Sequence, residues 1–89
     1  MTKEEATEKA RQDLARRLGI PENQISDQSV SDSDFPDMAL GASTSGEMSG
    51  QMISKGWRIQ LKAGNQKYEY RADKSQLRLY QFKGKNYKL

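Results

Sequence analysis

The sequence predicts an α+β fold, one N-terminal α-helix packed on a three- to four-stranded antiparallel sheet. Three observations carry that prediction. A capped stretch near the start repeats its apolar residues every four positions. Two runs of alternating apolar and polar residues flank Gly64-Asn65. A third alternating run lies close to the C-terminus.

The helix comes first. Thr2-Lys3-Glu4-Glu5 fits a capping box, with Thr2 as N-cap and Glu5 three residues on. Ala6, Ala10, Leu14 and Leu18 then mark a narrow apolar stripe, with Ala15 beside it. Glu4, Glu5 and Glu8 sit near the positive end of the helix dipole, Arg16 and Arg17 near the negative end. Gly19 suits the left-handed position after a helix, and Pro21 prevents continuation. The helix is placed at about residues 3–18 and needs a surface to lie on, because so short a helix is marginal alone in water.

A first strand is expected at about 25–33, an edge strand that tolerates its Asp and Ser content. Ile25 and Val30 fall on opposite faces of a regular strand. Pro36 ends it, and residues 36–50 read as a long loop punctuated by Gly41, Gly46 and Gly50. Strands follow at about 51–62 and 67–72, joined by Gly64-Asn65, which tolerates the positive φ of a tight hairpin turn. A two-residue loop pairs Leu61 with Tyr68, Ile59 with Tyr70 and Trp57 with Ala72, all on one apolar face. Leu77 and Leu79 alternate with Arg78 and Tyr80 in a strand at about 76–82. The basic tail 83–89 is expected to be mobile. The predicted core is Leu14, Leu18, Ile20, Val30, Trp57, Ile59, Leu61, Tyr68, Tyr70, Leu77 and Leu79.

The 89 residues suit one domain spanning 1–89. Net charge is +3, yet residues 1–50 carry five basic and ten acidic side chains and residues 51–89 ten basic and two acidic. The basic half is a candidate surface for an anionic partner. No apolar run approaches the ~20 residues of a membrane span. As the chain stands a soluble, cytoplasmic protein is expected, or an exported one if a leader precedes residue 1.

Several kinds of chemistry are excluded by residue type. Gly41 to Gly46 has the glycine spacing of a phosphate-binding loop, but Glu47 stands where the lysine belongs and would repel phosphate. A calcium loop beginning at Asp32 would need glycine at Asp37 and glutamate at Ser43. With no histidine and no cysteine, the common nucleophilic triads and zinc sets are absent. No cofactor, metal site or enzymatic activity is expected.

The chain resembles a widespread bacterial domain of unassigned function. The residues that carry the resemblance are Asp13 to Gly19 (DLARRLG), Phe35-Pro36-Asp37, Leu40-Gly41, Gly56-Trp57-Arg58-Ile59 and Tyr68-Glu69-Tyr70. The resemblance implies a shared fold and no activity, and members often follow export or lipoprotein signals. Ala42 stands where that family usually has cysteine, Ser43 and Ser45 where it has prolines, and Arg71 where it often has histidine. The order of elements is also similar to that of cystatin-like and PepSY domains.

The function expected is a small non-enzymatic binding or interaction module whose partner is unknown. The 36–52 stretch, which takes in the long loop and the start of the next strand, would meet a protein or peptide through Leu40, Met48 and Met52. One alternative is nucleic-acid or polyanion binding through Arg58, Lys62, Lys67 and Arg71, which share the polar face of the hairpin. A second is an inhibitor-like or peptidase-associated role. The chain is expected to be a monomer.

Overall fold

A computed structural model describes residues 1–89. One helix, α1 (Lys3–Leu18), lies across a five-stranded sheet. The strands are β1 (Ile25–Phe35), β2 (Ser54–Ala63), β3 (Gln66–Ala72), β4 (Leu77–Phe82) and β5 (Lys85–Lys88). They follow one another across the sheet in chain order, each antiparallel to the last. A short 3₁₀ turn, Glu22–Gln24, joins the helix to β1.

The helix ends as its residues dictate. Thr2 and Glu5 form both halves of the capping box, with Glu5 N–H on the Thr2 hydroxyl at 3.1 Å and Thr2 N–H on Glu5 Oε1 at 2.8 Å. Gly19 takes φ +67°, and the N–H groups of Gly19 and Ile20 both donate to Ala15 O.

The central hairpin has the predicted register. Leu61 faces Tyr68, Ile59 faces Tyr70 and Trp57 faces Ala72. These residues, with Leu77 and Leu79 from β4, meet Ala6, Ala10, Leu14 and Ala15 of the helix. Small residues on the helix let it approach closely. Leu18, Ile20, Val30, Trp57 and Tyr68 pack at the margin of this core. Its buried polar component is Asp13, which accepts from the Tyr70 hydroxyl at 2.7 Å and from Arg17 Nε at 2.7 Å. Burial, then the Asp13 bond, pushes the Tyr70 phenol well above its ordinary pKa.

Four expectations are corrected. The sheet has five strands, because the tail forms β5 instead of remaining free: Leu79 faces Tyr87, and Leu89 N–H donates to Leu77 O at 3.0 Å. Asn86 Oδ1 also accepts from Gln81 N–H at 2.9 Å, a local bond that holds the turn between β4 and β5. Second, β2 begins at Ser54, so Met52 and Ile53 belong to the preceding loop. Third, Ile25 and Val30 do not fall on opposite faces. The register slips between Asp27 and Ser29, and this bulge at Gln28 shifts the alternation by one. Ile25 then faces Ala63 and Val30 faces Ile59, both above the same core. Fourth, the polar face of the hairpin, offered above as an open surface for an anionic partner, is partly covered. Phe35, Ala39, Leu40, Ala42 and Arg78 are all buried, and β4 is therefore enclosed on both sides.

Candidate functional site

Residues 36–53 connect β1 to β2 and hold no helix or strand. They form the lid over that second face. Asp37 starts the loop with a side-chain turn, its Oδ1 accepting from Ala39 N–H at 2.9 Å and Gly41 N–H at 3.0 Å. Leu40 and Gly41 follow with φ +58° and +65°. Two successive left-handed residues are costly for a leucine, on the order of 1–3 kcal/mol. Complete burial of the Leu40 side chain offsets this, as do two hydrogen bonds: Arg71 Nη1 donates to Leu40 O at 3.0 Å and to Gly41 O at 3.2 Å. A side chain at position 41 would place its Cβ 2.7 Å from Arg71 Nη1 at a φ of +65°, so it would both strain the backbone and displace the guanidinium that holds the loop.

A second guanidinium fastens the middle of the loop. Arg78, 2% exposed, donates from Nη1 and Nη2 to the two carboxylate oxygens of Glu47, each at 2.6 Å. It also reaches Ala42 O at 3.3 Å. The Arg78 bond first, then the Thr44 N–H, holds the Glu47 carboxyl down at about 2. Gln76 Nε2 donates to Met38 O and Asn86 Nδ2 to Ser43 O, each at 2.9 Å. The loop closes on itself through Met38 N–H to Gly50 O at 3.0 Å.

What the fastened loop displays is apolar. Met38, Met48, Met52 and Ile53 are 50%, 97%, 68% and 71% exposed. Only one other large hydrophobic, Leu89, is comparably exposed. Met38 and the 48–53 segment touch, because a Cβ on Gly50 would lie 2.6 Å from Met38 Sδ. Met38 and Met48 line one pocket with Ser49 and Gly50, so these two share a surface, and Met52 and Ile53 follow close behind them in the chain.

The predicted contact residues divide accordingly. Met48 and Met52 lie on the patch. Leu40 does not: it is wholly enclosed beneath the loop and serves to pin it. Met38 and Ile53 join the patch without having been expected. Ile53 stands next to Met52 in the sequence, a signal that could have been read; Met38 arrives only through the fold.

The basic face fares differently. Lys67 is exposed and Lys62 half-buried. Arg71 is covered by the loop, its guanidinium 3.6 Å from the Tyr80 ring centre and its Nε 2.7 Å from Glu69 Oε2. Arg58 lies 3.4 Å from the same Glu69 oxygen, and its buried Nε has no hydrogen-bond partner. Two of the four cations are thus turned toward Glu69 and the Phe35 ring. Elsewhere, Asp32, Asp34, Lys55, Trp57, Asp73 and Lys74 line a groove of about 590 Å³ at the end of the sheet. Asp73 is committed to its own turn, accepting from the N–H groups of Ser75 and Gln76.

Residues 7–80 match the model of a family described as a domain of unknown function (DUF8738). That span includes the loop and both arginines that hold it. No curated protein and no solved structure matches the chain. No helix is long and apolar enough to cross a membrane.

Proposed function

The chain belongs to the DUF8738 family, and from that premise we propose that it is a non-enzymatic interaction module which docks a protein partner on Met38, Met48, Met52 and Ile53. One observation carries the reading. Four large apolar side chains stand in water on a loop that two guanidiniums hold in shape, in a chain whose mean hydropathy is −1.00. Methionine is unbranched and polarizable, so it adapts to a partner's contour. A loop already ordered loses less entropy on binding than a free one. The strained Leu40 and the two arginines then have a purpose beyond stability, which is to present this surface.

A photoreactive residue at Ser49, used in the native host, tests the proposal. It is expected to trap a protein, and the purified protein is expected to bind the wild-type chain. The variant carrying Met48→Ser, Met52→Ser and Ile53→Ser should lose that binding by at least about 100-fold, because anchors of this type each contribute about 1–3 kcal/mol. Its unfolding midpoint should stay unchanged, since the three side chains are exposed. Undiminished binding by the variant would refute the surface assignment.

A further inference from the structure

We propose that Met48 and Met52 are oxidation sites, and that their sulfoxides switch the docking surface off. This inference rests on the docking reading and adds its regulation. The chain has four methionines and no cysteine, so thioethers are its most readily oxidised side chains. An oxidant must reach the sulfur, so exposure sets the order of attack. Met48 is 97% exposed, Met52 68% and Met38 50%. Met38 Sδ also lies against Gly50, 2.6 Å from where a Cβ would stand, so one side of that sulfur is shielded. Met1 packs against the main core.

The reaction is a two-electron oxygen transfer from hydrogen peroxide. A sulfur lone pair attacks one peroxide oxygen, the O–O bond breaks and an S–O bond forms. The second oxygen leaves as water, so sulfur is oxidised and the peroxide reduced. A polar, chiral sulfoxide then stands where the apolar thioether stood. Water solvates its oxygen on the free chain, and an apolar partner would have to strip that water away. The fastening of the loop involves no sulfur. Arg71 holds Leu40 O and Gly41 O, and Arg78 holds Glu47. Oxidation therefore changes the polarity of the surface and leaves the loop in place. A sulfoxide reductase reverses the change, its dithiol becoming a disulfide as the oxygen leaves in water.

The test treats the full chain with hydrogen peroxide, quenches with free methionine, and maps the added oxygen by peptide mass spectrometry. Met48 and Met52 are expected to gain oxygen first, with Met38 and Met1 behind. Retention on a phenyl column, which needs no partner, should fall while the unfolding midpoint stays unchanged. Burying an unpartnered polar group weakens binding roughly 5- to 150-fold. Affinity for the untreated protein trapped at Ser49 should therefore drop at least about fivefold, and reductase treatment should restore it. Met48→Leu with Met52→Leu keeps the surface apolar and should bind that protein equally before and after the same peroxide exposure. Oxygen gained first at Met38 or Met1, unchanged retention, or an equal loss in the leucine variant overturns the switch and leaves the docking reading standing. A chain whose retention falls as expected but which, unoxidised, binds no protein overturns the docking reading and the switch with it; the oxidation sites then stand alone.

Discussion

Replacing Glu47 with glutamine probes the fastening of the loop most directly. Arg78 is 2% exposed and gives two of its donors to Glu47 at 2.6 Å. Glutamine keeps one acceptor oxygen but turns an amide N–H₂ toward the other guanidinium nitrogen, and it removes the countercharge. Breaking a fully buried pair costs about 3–5 kcal/mol. The Glu47 side chain is 21% exposed, which admits some screening, and Arg78 keeps its bonds to Ala42 O and Gln76. The expected loss is therefore about 2–3 kcal/mol. For 89 residues the whole stability is roughly 4–13 kcal/mol, at about 0.05–0.15 per residue. At about 4–8 °C per kcal/mol, the midpoint should fall by roughly 8–24 °C. Urea unfolding followed by circular dichroism measures the loss, and amide exchange at Met38 and Ala42 reports whether the loop opens first. The companion variant Glu47→Met with Arg78→Met removes both charges together and should recover most of the loss. A decrease below about 0.5 kcal/mol for Glu47→Gln, within the range of ordinary surface changes, would show that the ion pair is not what holds the loop.

Other predictions follow from single contacts. The Glu47 carboxyl is held at about 2 against an ordinary 4.5. Its depressed value means stability fully present above pH 4.5 and lost as pH falls toward 2, a segment of the acid-unfolding profile that Glu47→Gln should abolish. Gly56→Ala would set a Cβ 2.2 Å from Ala72 O, in backbone that cannot swing aside, so the β2–β3 pairing should part and the unfolding midpoint should drop. Tyr70→Phe removes the hydroxyl that donates to Asp13, and should cost about 1–3 kcal/mol in chemical denaturation because a buried carboxylate loses a partner. Ile59→Ala should cost about 2–5 kcal/mol by the same measurement, as a wholly buried side chain in the main core.

Much of the fold was legible because it rests on short-range rules. The capping box, the stop at Gly19 and the register set by Gly64-Asn65 each depend on residues within a few positions of one another. The eleven core residues chosen from periodicity all lie in or against the helix-side core. Legibility failed where a local irregularity changed the phase. The bulge at Gln28 carries Ile25 and Val30 to one face, and the left-handed Gln81 (φ +52°) sends Phe82 to the helix side although Tyr80 faces the loop. Nothing in residues 26–33 or 80–84 announces these one-residue shifts.

The candidate surface divides in the same way. Alternation alone determined which residues of β2, β3 and the Leu77–Tyr80 part of β4 face away from the helix, and composition determined that Met48 lies in a loop; Met52, expected within a strand at 51–62, joins the loop only because β2 begins at Ser54. Only the tertiary structure decided what covers that outward face. Along the chain Arg71 reads as part of a polar, cation-bearing face and Arg78 as a polar alternate in its strand, yet each finds its acceptors about 30 residues away, at Leu40, Gly41 and Glu47. A guanidinium looks the same in sequence whether it meets water or a carbonyl, because the difference lies in which distant backbone atoms the closed sheet brings within hydrogen-bond reach. That closure buries Leu40, sets Met38 against Gly50, and leaves the other methionines in water.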